Sequence, residues 1–161
     1  SKVVIAAAGK VKRPLGTEWN GDISLPSEWA KVSIALPGIV AIQGPEFQSQ
    51  EKAEREIQKL ADHLSQEDLQ EFPLILVVDD AGFIGRHLNN FLWATFTRSN
   101  PSHDMYGVNS FVRHKHWGCK GPLIIDARIK PHHAPPLVED QGVTKRVDQL
   151  AAKGGVLHGI I

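Results

Sequence analysis

Short unbroken apolar runs, separated by amphipathic stretches, set the rhythm of this chain. Val3–Ala8, Ile39–Gln43, Leu74–Val78 and Leu123–Ile125 are each bounded by glycine, proline or charge and predict strands. Runs without polar alternation point to a sheet covered on both faces. Ala53, Ile57, Leu60 and Leu64 recur at helical spacing in a charged segment, which predicts an amphipathic surface helix. Ser49 is placed to cap its start, with Glu51 in the favourable first turn. "SQED" from Ser65 predicts a capping box opening a short second helix before Pro73. Ile84, Leu88, Phe91, Leu92 and Thr95 share one stripe of a further helix. Trp93 and Phe96 widen that stripe, so this helix is expected to bury two sides, one on the sheet and one on a partner surface. A last helix is expected from Val143 to Lys153, with Val147 and Leu150 facing inward and Gly154-Gly155 stopping it. Residues 9 to 30 lack periodicity and read as a long ordered loop. Strand alternating with helix predicts an α/β domain, a three-layer sandwich whose mixed or mostly parallel sheet carries helices on both faces.

Composition narrows the partners. The 161 residues suffice for one domain with a real core. Eighteen basic residues balance eighteen acidic ones, and no basic stripe interleaves with aromatics, so nucleic acid is not an expected partner. No apolar run is long enough to span a membrane. A single cysteine makes no internal disulfide, and a cytoplasmic setting is expected. The chain opens directly in an apolar run without an initiator methionine, which suits a piece of a longer protein.

Chemistry concentrates between His114 and His133, in "HKHWGCKGPLIIDARIKPHH". His114, His116, Cys119, His132 and His133 are competent zinc ligands, but their spacing matches no zinc module, and Lys115 and Lys120 add repulsion. No metal is expected there. Asp79, Asp80 and Asp126 resemble a phosphate-accepting receiver, but too little chain follows Asp126 to supply the remaining strands. Asp126 and Arg128 fall on one face of a strand, which favours an ion pair between them. Cys119 has no activating base fixed by the sequence and reads as a passive thiol.

From Leu74 onward the chain resembles the C-terminal domain of the UbiD family of decarboxylases. "ILVVDD" ends a strand in the paired acids Asp79 and Asp80. "FLWATFTR" supplies the family's "WA…TR" pattern through Trp93, Ala94, Thr97 and Arg98, and "LIIDARIKP" its later aspartate, lysine and proline through Asp126, Lys130 and Pro131. "HKHWGCKG" and "KPHHAPPL" look most like the branch associated with menaquinone biosynthesis. Where many members place a third acid after the pair, this chain has Ala81 and Gly82.

The resemblance implies a single C-terminal domain over 1–161, with 49–161 as its core and 1–48 as an extension, in a longer carboxy-lyase acting on an aromatic or polycyclic acid in quinone biosynthesis. Prenylated FMN, a divalent manganese or magnesium ion and potassium would serve the whole enzyme. They would be bound by its N-terminal flavin domain and not by this chain. Catalytic residues would lie there too. The part left to this chain is a wall of the substrate pocket and contacts in a homo-oligomer. Phe111, His114, Lys115, His116 and Trp117 are the candidate substrate contacts, as donors and an aromatic face for an acid. They are expected in a loop at the sheet edge facing the flavin domain, with Asp126 closing its strand just behind. The alternative is a non-enzymatic binding or oligomerisation module of the same fold.

Overall fold

The computed structural model describes residues 9–19, 23–134 and 140–160. The expected strand Val3–Ala8 lies outside them, as do Pro135, Pro136 and Leu137 of "KPHHAPPL".

The three central strands form where the apolar runs place them: β2 (Ile39–Gln43), β3 (Leu74–Val78) and β7 (Leu123–Asp126). β2 lies parallel to β3, and β3 parallel to β7. Two antiparallel strands flank them, giving the order β1-β2-β3-β7-β4, with β1 at Ala30–Leu36 and β4 at Met105–Gly107. A separate two-stranded hairpin pairs β5 (Ser110–Arg113) with β6 (His116–Cys119).

Each central strand is buried on both faces because alternate residues feed two different cores. Val40, Ile42, Ile75, Val77 and Ile124 meet Ile57, Leu60 and Leu64 of α1 (Gln50–Leu64) on one side. Ala41, Leu76 and Val78 meet Ala81 and Ile84 of α2 (Ala81–Arg86), with Phe91 and Ala94 of α3 (Leu88–Thr97), on the other. The fold is an α/β three-layer sandwich with a mixed sheet, as the chain's pattern implies. Ser49 caps α1 by accepting from the Lys52 amide at 3.2 Å.

Four expectations need correction. The loop assigned to residues 9–30 gives way at Ala30 to an edge strand, β1, bent by a bulge near Lys31. No helix follows Ser65, which instead ends α1 and turns its hydroxyl back onto the Asp62 carbonyl at 2.6 Å. The stripe from Ile84 to Thr95 is two helices, because His87 is extended (φ −147°) and the Asn90 side chain donates to the freed Phe83 carbonyl at 2.8 Å. Val147 and Leu150 do not face inward, since α4 (Gln141–Ala151) buries none of its residues. The side of α3 expected to meet a partner surface is open in this chain, with Trp93 43% and Phe96 38% exposed.

Candidate functional site

At the carboxyl ends of β3 and β7 the chain gathers its buried charge. Arg128 grips Asp126 through two hydrogen bonds of 2.9 Å, Nε to Oδ1 and a terminal nitrogen to Oδ2. Its other terminal nitrogen donates to Glu56 Oε2 at 2.7 Å and to the Pro45 carbonyl at 2.8 Å. Burial alone would pull the guanidinium pKa down, but the bonds and charges of Asp126 and Glu56 outweigh it and leave the pKa above its ordinary value. Lys130 Nζ donates to the carbonyls of Asp126 at 2.9 Å and Arg98 at 3.2 Å, and pairs with Asp104 at 3.4 Å. Phe47 lies beneath both cations, 5.5 Å from Lys130 Nζ and 5.9 Å from the Arg128 guanidinium.

A second set of contacts joins this cluster to α3. Asp79 Oδ2 accepts from the Ile129 amide at 2.8 Å and from Arg98 at 3.5 Å. The Arg98 guanidinium stacks 4.5 Å above the Trp93 ring, which also meets Phe83 edge-on. Thr97 only returns its hydroxyl to the Trp93 carbonyl, and Asp80 caps α2 through the Phe83 amide. Of the motif residues, the structure thus connects Asp79, Trp93, Arg98, Asp126 and Lys130, and leaves Asp80 and Thr97 as local helix contacts. Beside them opens a cleft of about 300 Å³ lined by Glu46, Phe47, Asp79, Ile129, Lys130 and Pro131. Ligands of α/β sheets bind at this strand end.

The expected substrate contacts stand elsewhere. Phe111, His114, Lys115, His116 and Trp117 all belong to the β5–β6 hairpin and are all exposed. They form a hairpin, with His114 (φ 51°) and Lys115 (φ 66°) making a left-handed two-residue turn. The hairpin leaves the sheet beside Gly107 and Leu123, the amino end of β7. Asp126 is at the other end of that strand, roughly 10 Å away at strand rise. It does not sit behind the hairpin. Among the described residues no group of three or more His, Cys, Asp or Glu side chains is arranged to hold a metal.

Sequence reasoning missed Glu56, Asp104 and Phe47. Glu56 left a signal: it lies three residues after Ala53, on the buried stripe of α1, where an acid needs a partner. Asp104 left none. It is held by the Asn100 amide at 2.7 Å, in an irregular turn.

Fold and cluster together define a three-layer α/β domain with a buried ion network at the carboxyl edge of its sheet. The chain's resemblance is to UbiD-class decarboxylases. No protein-family model matches it. It is 32% identical over 84 residues to an uncharacterized protein of Chlamydia muridarum, and 29% identical over 82 residues to one subunit of the 4-hydroxybenzoate decarboxylase of Chlamydia pneumoniae. These matches cover 52% and 51% of this chain but only 14% of each relative's length. Among solved structures it is similar to an evolved dimeric form of the UbiD-class enzyme HmfF from Pelotomaculum thermopropionicum in complex with prFMN, with TM-score 0.42 and 22% identity over 66% of this chain and 21% of that one. It is also similar to the vanillic acid decarboxylase of Sedimentibacter hydroxybenzoicus, with TM-score 0.43 and 18% identity over 69% of this chain and 26% of that one.

Proposed function

We propose that this chain is the C-terminal domain of a longer UbiD-type carboxy-lyase that removes carbon dioxide from an aromatic or polycyclic acid in cytoplasmic quinone biosynthesis. The observation that carries the reading is the convergence of Asp79, Trp93, Arg98, Asp126 and Lys130 beside one cleft, in a chain half of which aligns with part of a decarboxylase. The domain's part is structural. Phe47 and Asp79, the latter held by Arg98, line one wall against which a planar acid rests, and the ion network fixes the loop from Ala127 to His133 that borders it. Binding energy from such a wall positions a carboxylate for chemistry done elsewhere.

The described residues do not fit a flavin. Arg128 and Lys130, the buried cations here, are already committed to carboxylates and carbonyls, leaving neither to hold a phosphate. Prenylated FMN, its divalent ion and potassium are assigned to the rest of the longer protein, and no step is routed through this domain. The open faces of α3 (Leu88, Trp93, Phe96) and α4 (Val143, Val147, Leu150) are assigned to contacts with the flavin domain or a second copy of the protein.

The test is carbon dioxide release from aromatic acids by the full-length protein loaded with prenylated flavin. Phe47→Ala and Arg98→Gln should raise KM more than they lower kcat. A full-length product lacking decarboxylase activity on every aromatic acid tried, or a free-standing 161-residue product, would instead favour the non-enzymatic module.

A further inference from the structure

The Lys130 ammonium is enclosed by oxygen. Its Nζ lies 2.9 Å from the Asp126 carbonyl, 3.2 Å from that of Arg98, 3.4 Å from that of Arg128 and 3.4 Å from Asp104 Oδ2. The residue is only 2% exposed. Three carbonyls and a carboxylate around one point are the kind of oxygen set that receives a monovalent cation, and here the cation is carried on a side chain. Among the described residues no other hydrogen bond reaches the Arg98 or the Arg128 carbonyl. Without Lys130 these acceptors would face one another unpaired in the interior, at the cost of their hydration. The oxygens come from the C-cap of α3, from the Asn100–Asp104 turn that follows it, and from the end of β7. Arg98 turns its own guanidinium to Asp79 and Trp93, so the positive charge at the α3 terminal carbonyl is that of Lys130. The ammonium is buried within this chain itself, so its surroundings do not depend on what covers the chain's surface.

We propose that Lys130 is a positioning residue: its ammonium is a tethered monovalent cation that draws α3, the Asn100–Asp104 turn and the end of β7 onto one centre, and so holds Phe47 and Asp79 in the wall of the cleft. The part played at the cleft rests on the decarboxylase reading; the oxygen cage does not. Two features make the ammonium, rather than the apolar stem, the working part. An ammonium is a compact charge with three donors, and it meets three carbonyls within 3.4 Å. The planar fork of a guanidinium does not match oxygens that converge on one point. The segments it joins are also those that hold Asp79, whose partners are Arg98 and the Ile129 amide. Loss of the centre therefore frees Arg98 and the loop from Ala127 to His133 together, and Asp79 with them. Phe47 loses the nearer of the two cations its ring faces, keeping only Arg128 at 5.9 Å.

The experiment is peptide-resolved amide exchange on the full-length protein, with n-propylammonium as the probe. Lys130→Met keeps the stem but not the charge. Its exchange should rise roughly tenfold or more over residues 98–104 and 127–133 and stay unchanged in α1. Lys130→Ala removes three carbons and the nitrogen, the size of n-propylammonium, which should restore protection when added. The uncharged n-propanol should not, and neither should the substitution Lys130→Arg. In turnover of an aromatic acid, Lys130→Met should raise KM several-fold with kcat nearly unchanged. Wild-type exchange in Lys130→Met, a rise spread evenly over the whole domain, or equal rescue by n-propanol would overturn the proposal. So would an unmoved KM in an active enzyme whose local exchange has risen. A full-length protein without decarboxylase activity would end the decarboxylase reading instead, because exchange and rescue are read without turnover and judge the cage by themselves.

Discussion

Asp126 and Arg128, two residues apart at the end of β7, hold each other by two hydrogen bonds of 2.9 Å with both side chains buried. Neither is dispensable alone. Asp126→Ala removes both 2.9 Å bonds and leaves the buried Arg128 with Glu56 as its one carboxylate partner, and should cost about 3 kcal/mol in chemical denaturation, the usual scale for breaking a buried pair. Arg128→Lys keeps the charge but loses the planar fork and its reach to Glu56, and should cost about 2 kcal/mol.

The hairpin turn carries a removable strain. His114 and Lys115 both occupy the left-handed region, which costs an ordinary residue about 1 kcal/mol. Replacing the pair by Asn-Gly, the residues such turns favour, should slow amide exchange at Arg113 and His116 without moving the strands. Unchanged or faster exchange would show that the turn is held by something other than its own backbone.

Gly85 sets how closely α2 approaches β1. A β-carbon there would collide with the Ser33 hydroxyl and lie 3.3 Å from the Ile34 carbonyl. Gly85→Ala should therefore destabilise by about 1–3 kcal/mol, and adding Ser33→Gly should recover part of the loss. Thermal unfolding of the two variants checks both statements.

Tyr106 is the only tyrosine, so an ultraviolet absorbance titration reads it alone. Its phenol is pushed up to about 12, first by burial and then by the negative charges of Asp126, Glu54 and Asp104. A raised value means the folded state keeps the proton longer than the unfolded chain. The associated stability is complete below about pH 10 and is lost as pH rises towards about 12. His133 behaves oppositely. Burial and the nearby charges of His132 and Lys130 lower its pKa, and the neutral ring accepts from the Lys130 amide at 3.1 Å. Its contribution holds above the ordinary histidine value and is lost as pH falls through the lowered one, which a proton NMR titration should show.

The parts of the fold that were legible are those where one residue type determines the outcome. Val40 and Ile42, Ile75 and Val77, and Ile124 sit in unbroken apolar runs, and those runs became the sheet centre. β1 was hidden because it is an edge strand with a bulge, and its residues are partly exposed without clean alternation. The break at His87 was hidden for the reverse reason: the apolar stripe continues through it, and only the Asn90 contact to Phe83 reveals the gap. His-Lys is not a turn sequence, so the hairpin read as a loop. In the site, the spacing of Asp126 and Arg128 showed their pairing, whereas Asp104 and Phe47 reach the cluster through tertiary folding that no local pattern encodes.

The ion network also fixes an order of events. Glu56 belongs to α1, and β2, α1 and β3 are consecutive, so their packing needs only short loops to close. Arg128, which Glu56 receives, arrives with β7, about fifty residues after β3 in the chain. Until β7 docks, Glu56 is hydrated and the network does not exist, so its bonds are expected to form late in folding. Disrupting them should accelerate unfolding and leave the refolding rate nearly unchanged, whereas trimming Ile57 or Leu60 should slow refolding. The network therefore acts as a latch, setting how long the closed domain lasts rather than how quickly it closes.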